Sequence, residues 1–217
     1  LLFLPACQTS TDSTTNEAID PISDTLAVDT LITSDLIWHF ENEFDAQFKD
    51  TLKLWMSKVK EACFETLGEY PFSMNIYFHK SDSKQKEGVT FGHTDRAHST
   101  RGLHLYVIDQ SSYESLISDW IAPHEMSHLA IRPVGRNNKW FAEGFATYLS
   151  RRVMIRLGYY SEAEFEQMYA TKIAETKPFY EVEYTFSDRS AELFDEYRYS
   201  TVYWAGAGFF YWADKEL

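Results

Sequence analysis

The feature that most constrains the fold is a proline, Pro123, inside a stretch that otherwise carries helix signals. A proline deep in a helix removes one backbone hydrogen bond and clashes with the preceding turn. We therefore predict a break near Ser118 and a new helix with Asp119 at or near its N-cap. Pro123 then falls in or just inside the first turn, where it does the least damage.

The new helix carries the sequence "PHEMSH". His124 and His128 are four residues apart, so both project from one face of the helix, one turn apart. Two imidazoles in that arrangement can bind one Zn²⁺. Glu125 points away from them and is placed to meet a metal-bound water. Because HExxH arises by chance in on the order of 1% of chains of this size, the prediction needs a third ligand.

A third ligand is predicted on the next helix, in "KWFAEGFATYL". A catalytic zinc takes three protein ligands and leaves its fourth position to water. Glu143 lies among aromatic residues, where a carboxylate is costly unless it is paired or bound to a metal. Gly144 costs about 1 kcal/mol inside a helix, and close approach of this helix to the HExxH helix is a reason to accept it.

With "HEMSH" followed by "WFAEGFATY", the sequence resembles the gluzincin metallopeptidases, which include thermolysin and the aminopeptidase-N-like enzymes. Their shared pattern is HExxH with a glutamate ligand on the next helix. The resemblance implies that His124, His128 and Glu143 hold one Zn²⁺ and that Glu125 is the general base. It also implies that Thr147, one turn past Glu143, supports the ligands from behind.

The same resemblance implies that Tyr203, in "STVYWAGAGFF", stabilises the oxyanion of the reaction. Aminopeptidase-like members carry a tyrosine before a Lys-Gly-Ala-type run, and Ala205 stands here in place of that lysine. An ordinary core aromatic is the alternative for Tyr203. Tyr199 and Tyr197 are the fallback donors.

Two departures from the family pattern bear on specificity. The segment between His128 and Glu143 is shorter than in the best-known members, and the Gly-x-Met-Glu-Asn stretch with which aminopeptidases hold a free amine is absent from the sequence. Cleavage within a chain and cleavage at its end therefore both stay open. We expect an extended peptide to pair with an edge strand at Gly102–Ile108.

The predicted reaction is hydrolysis of a peptide bond by a metal-activated water. One alternative is a catalytically silent binding lipoprotein that keeps the fold and the metal. Another is a zinc hydrolase that acts on a substrate other than a peptide. The predicted partner is accordingly a peptide or protein substrate.

The predicted fold class is α+β, a zincin-like metallopeptidase domain. A small antiparallel or mixed sheet packs on an N-terminal helix, and the HExxH helix, the glutamate helix and further helices follow. Apolar residues recur at helical spacing from Trp38 to Leu67. Ser111 with Glu114, and Ser161 with Glu164, fit capping boxes.

The sequence also predicts one irregular segment and the surroundings of several histidines and of Cys63. Residues 178–196 are acidic and predicted to be irregular. His93 and His98 fall in a polar loop and are expected at the surface, and His104 is expected to be a structural strand residue. Cys63 lies in an amphipathic pattern and is expected to be a small buried residue.

The chain begins "LLFLPACQTSTDSTTNEAID", which resembles the end of a bacterial lipoprotein signal peptide. We predict a signal remnant with its lipobox over 1–7, a flexible acidic tether over 8–35 and the metallopeptidase domain over 36–217, truncated at its C-terminus. Cys7 would carry the lipid, which predicts an extracytoplasmic protein anchored to a bacterial membrane. The alternative is a ragged apolar terminus with a chance cysteine.

The net charge of −13 restricts the partners further. An acidic protein repels phosphate backbones, so we expect no nucleic-acid partner. It also has no electrostatic attraction to anionic lipids, so a membrane would be reached only through the lipid anchor.

Overall fold

The computed structural model describes residues 35–135, 138–181 and 183–216. These residues form an α+β protein with a small mixed sheet, which confirms the predicted class. The elements in chain order are β1 (Leu36–Phe40), α1 (Ala46–Leu67), β2 (Met74–Lys80), β3 (Val89–Asp95), β4 (Gly102–Val107), α2 (Tyr113–Ile117), α3 (Ile121–His128), α4 (Lys139–Arg156), α5 (Glu162–Thr176), α6 (Phe186–Asp195) and α7 (Tyr199–Glu216). The predictions for Cys7 and for residues 8–34 lie outside the described residues.

The sheet has the strand order β1-β2-β4-β3. β1, β2 and β4 are mutually parallel, and β3 runs antiparallel to β4 at the edge of the sheet. The prediction that Gly102–Ile108 forms the edge is therefore wrong, because β4 is hydrogen-bonded on both sides. Its alternation of buried Leu103, Leu105 and Val107 is found in edge and internal strands alike, so the pattern could not show which it was.

Helix α1 covers one face of the sheet. Its buried side chains include Leu52, Trp55 and Val59, which belong to the main core together with the inward residues of the strands. The prediction of a helix from Trp38 is wrong at its beginning, because residues 36–40 form β1. Phe40 lies in β1 and Phe44 precedes α1, but their rings contact each other. The helical spacing of aromatic residues therefore continues in the sequence from the strand into the helix.

Two other local predictions are corrected. Ser112, and not Ser111, caps α2 by accepting the Ser115 backbone N–H at 3.2 Å. The Ser111 hydroxyl instead accepts the Gly88 backbone N–H at 2.8 Å, a long-range contact that the local sequence does not reveal. Residues 178–196 include helix α6, whose N-cap Thr185 accepts a backbone N–H. The capping box of Ser161 on α5 is confirmed.

The helices after the sheet bring α3, α4 and α7 together. A Cβ atom added to Gly144 on α4 would lie 2.4 Å from the carbonyl carbon of Gly206 on α7. The sequence had suggested that Gly144 allows close approach to the HExxH helix. The structure shows that it allows close approach to α7 instead. Among the described helices, none is both long and apolar enough to cross a membrane.

Candidate metal centre

The chain breaks between α2 and α3, as we predicted from the position of Pro123. α2 ends at Ile117 and α3 begins at Ile121, so Pro123 lies in the first turn. The Asp119 carboxylate accepts the Ile121 backbone N–H at 2.7 Å, so Asp119 satisfies one of the free donors at the start of α3. Burial raises the pKa of Asp119 to about 6, although this bond and the Arg151 charge oppose the rise.

Three predicted ligands converge at the junction of α3 and α4. The Nε2 atoms of His124 and His128 lie 3.3 Å and 3.4 Å from Oε2 of Glu143. Both histidines are buried, and the three ligand atoms lie within 4.8 Å of one another. These residues could therefore hold a metal ion.

The spacing of these atoms can be compared with that required by a known ion. Tetrahedral zinc binds nitrogen and oxygen at about 2.0–2.2 Å, which places two ligand atoms about 3.4 Å apart. The two nitrogen-to-oxygen distances at Glu143 match this value. The donor set of two imidazoles and one carboxylate therefore fits zinc.

The charge of Glu143 also suits a ligand. Burial alone would raise its pKa, but hydrogen bonds and charges from His124 and His128 outweigh burial and lower the pKa to about 2. The carboxylate is therefore ionised at neutral pH. The Nδ1 atoms of both histidines are buried and lack a hydrogen-bond partner within the described part of the chain.

Glu125 lies in the same pocket, held by the edge strand. The Thr94 hydroxyl on β3 lies 2.8 Å from Oε2 of Glu125 and 2.7 Å from its backbone carbonyl oxygen. Gly92 lies two residues before Thr94 on β3. A Cβ atom added to Gly92 would lie 2.6 Å from Ile121 and 3.0 Å from Cγ of Glu125. Sequence reasoning missed both residues, although a glycine inside a strand is a known signal of close approach.

Tyr203 on α7 also lines the pocket of the candidate ligands. Its ring is stacked against that of His124 with centroids 6.0 Å apart. Burial, with the nearby negative charge of Glu143, raises the pKa of Tyr203, so the hydroxyl keeps its proton at neutral pH. The fallback donors Tyr199 and Tyr197 are 39% and 79% exposed and do not line the pocket.

Thr147 is buried on α4, one turn past Glu143. Its hydroxyl has no hydrogen-bond partner in the described ranges. Its predicted support of the ligands therefore stays a prediction.

The three ligands, Glu125 and Tyr203 line one pocket of about 600 Å³. Sequence reasoning missed Arg96 and Trp120 in its wall. The Trp120 ring meets the His124 ring edge-on, with centroids 5.1 Å apart. His93 also lines the pocket and belongs to β3, so the prediction of a loop is wrong there; its exposure is confirmed.

The site and fold together define an α+β protein with a candidate metal centre of two histidines and one glutamate. Comparison with models of known protein families finds no match to this chain, and comparison with curated proteins finds none either. What the centre does is therefore argued from its own geometry.

Proposed function

We propose that this chain is a zinc metallopeptidase of the gluzincin type, with a zincin-like fold. The observation that carries the proposal is the convergence of His124, His128 and Glu143, whose ligand atoms lie within 4.8 Å of one another, with the Glu125 carboxylate in the same pocket. Three protein ligands leave one position open, which is the arrangement of catalytic zinc. A purely structural zinc site would instead use four protein ligands.

The proposed chemistry divides roles between the ion and the chain. When bound, zinc supplies a water of lowered pKa and polarises the carbonyl of the scissile bond. Glu125 accepts the proton of the attacking water and then donates it to the leaving amine. Thr94 orients Glu125 by its hydrogen bond. The Tyr203 hydroxyl, which keeps its proton, donates to the developing oxyanion.

The proposed substrate is a peptide in extended form. Among the described strands, β3 pairs only with β4, and its residues Thr90 to Thr94 line the pocket next to Glu125. An extended peptide can add to such an edge through main-chain hydrogen bonds. The proposed binding strand is thus β3 in place of Gly102–Ile108.

We further propose that Cys7 is lipidated and that the protein is extracytoplasmic. The support is the lipobox-like sequence before Cys7 and the acidic Ser/Thr-rich segment after it. Fatty-acid labelling in cells tests this: wild type should take up label, and equal labelling of Cys7→Ser would contradict the assignment.

Substitution of the general base tests the proposed function. Glu125→Gln removes the proton acceptor and leaves all three ligands, so the purified variant should bind zinc like wild type and lose at least about 10²-fold in kcat on a peptide library. Zinc content and cleavage are measured on the same samples. Zinc binding without cleavage by wild type would favour a binding protein or a hydrolase of another substrate. Full cleavage by Glu125→Gln would refute the base.

A further inference from the structure

One cation in the pocket wall, Arg96, has no part in the chemistry described above. Arg96 directly follows the last residue of β3, at the end of the edge strand. Its Nη2 donates to the His128 backbone carbonyl at 2.8 Å, which fixes the guanidinium beside the last turn of α3. That bond uses one of the five N–H donors of the side chain.

The remaining donors of Arg96 have no anionic partner in the described parts of the chain. Its Nε is buried without a hydrogen-bond partner, and no carboxylate there lies within ion-pairing distance of the guanidinium. Glu143 and Glu125 act on it only as nearby charges. Both have other roles in the proposed reaction. A partly buried arginine usually has an anionic partner, so a partner from outside the chain fits this position.

The charge of the pocket points to the same conclusion. The formal charges of its acidic and basic side chains, Glu125, Glu143 and Arg96, sum to −1 when the histidines are counted as neutral. A divalent ion changes this charge to +1. A pocket with a net positive charge and a free guanidinium attracts an anionic group of the substrate.

We propose that Arg96 determines specificity by binding a carboxylate of the peptide substrate. This inference rests on the proposed function and names the substrate class: peptides with an acidic group near the scissile bond. Guanidinium matches carboxylate geometry through paired hydrogen bonds, and it does so better than an ammonium group. The carboxylate can be the C-terminal one or that of an Asp or Glu side chain.

Matched peptides test the inference and distinguish the two sources. The reference is a cleavable peptide without acidic residues, blocked at both ends. One set of relatives has a free C-terminus, and another carries a single Glu in place of Gln on either side of the scissile bond. The readout is kcat/KM of each acidic peptide divided by that of the reference. A substitution of Arg96 could loosen the end of α3 and lower the activity on all peptides equally. The ratio cancels such a general loss of activity.

For wild type we expect this ratio to be about ten or more for at least one acidic peptide. Arg96→Gln should lower the ratio to about one, and Arg96→Lys, which keeps a charge and a donor for the His128 carbonyl, should give an intermediate ratio. Arg132→Gln is the matched control: it removes the same charge from an exposed residue outside the pocket wall, and it should keep the wild-type ratio. Preference for the free C-terminus identifies the α-carboxylate, and preference for the Glu peptides identifies a side chain.

The inference is overturned if wild type shows no preference for any acidic peptide, or if Arg96→Gln keeps the preference. Calorimetric binding of the same peptides to zinc-loaded Glu125→Gln provides a readout independent of turnover. If wild type cleaves no peptide, the proposed function fails, and calorimetry still decides whether Arg96 binds carboxylates. Cleavage without acidic preference defeats the Arg96 inference alone.

Discussion

At the scale of single residues, Thr94 makes the contact that orients Glu125, the proposed general base. A carboxylate on a helix has several rotamers, and the hydroxyl on the neighbouring strand selects the one seen here. Such orienting bonds matter because a proton acceptor must lie within hydrogen-bond reach of its water.

Thr94→Val tests that contact because valine keeps the shape of threonine and removes the hydroxyl. We expect kcat/KM to fall about tenfold, the loss of one hydrogen bond to a charged group, with zinc content unchanged. Thr51→Val, on the exposed face of α1, makes the same chemical change far from the pocket and should have no effect. Wild-type activity in Thr94→Val would show that the bond does not orient Glu125.

Residue identity and spacing predicted the candidate metal ligands and Glu125, but they did not predict Thr94 or Arg96. His124, His128 and Glu143 were found because their chemistry and their spacing along two helices are local properties of the sequence. Thr94 and Arg96 belong to another element, and nothing in their local sequence shows that β3 lies beside α3. Tyr203 was found through the family resemblance, and its place in the pocket depends on the packing of α7 against α4.

At the scale of elements, the contact between β3 and α3 builds the pocket. Gly92 permits it, since any side chain there would overlap Ile121 and press on Glu125. The sequence predicted the helix α3, but the edge of the sheet was assigned to β4. Strand order depends on long-range pairing, which local alternation does not determine.

Gly92→Ala tests the close approach. Its Cβ would lie 2.6 Å from Ile121, so we expect a loss of about 1–3 kcal/mol in the free energy of unfolding, measured with urea. Gly135→Ala is the control, because a Cβ there meets nothing within 4 Å. In an Ile121→Ala background, which removes the γ-methyl group that the new Cβ would meet, Gly92→Ala should cost less. Equal stability of the two glycine variants would contradict the packing described.

The beginning of α3 carries a pH dependence through Asp119. Its pKa is raised in the folded protein to about 6 from an ordinary value of 3.8, so the folded state binds more protons than the unfolded state between these values. The free energy of unfolding contributed by Asp119 therefore falls as pH rises through that window.

Asp119→Asn removes this titration and keeps an oxygen that can accept the Ile121 N–H. We expect the stability of the variant relative to wild type to increase by about 1–2 kcal/mol from pH 4 to pH 7, less than the full linkage value because the residue is only partly buried. Urea unfolding of the metal-free proteins measures it. The exposed Asp50→Asn serves as the control. A pH-independent difference would contradict the raised pKa.

At the scale of the whole molecule, the sheet, α3, α4 and α7 each contribute one part of the candidate site. α3 provides two candidate ligands and the proposed base, α4 the third candidate ligand, α7 a hydroxyl and β3 the wall of the pocket. The α+β class followed from the order of helical and alternating patterns along the sequence. The mixed sheet and the aromatic packing of α7 on α4 and α5 arise only from long-range contacts.

The central claim is that two imidazoles and one carboxylate hold a single zinc ion, and anomalous diffraction from zinc-loaded crystals tests it most directly. We predict one strong peak at the zinc absorption edge, about 2.0–2.2 Å from Nε2 of His124, Nε2 of His128 and an Oε atom of Glu143. The peak should be absent from crystals of Glu143→Ala grown with equimolar zinc. A wild-type peak that lies elsewhere, or no peak, would contradict the account.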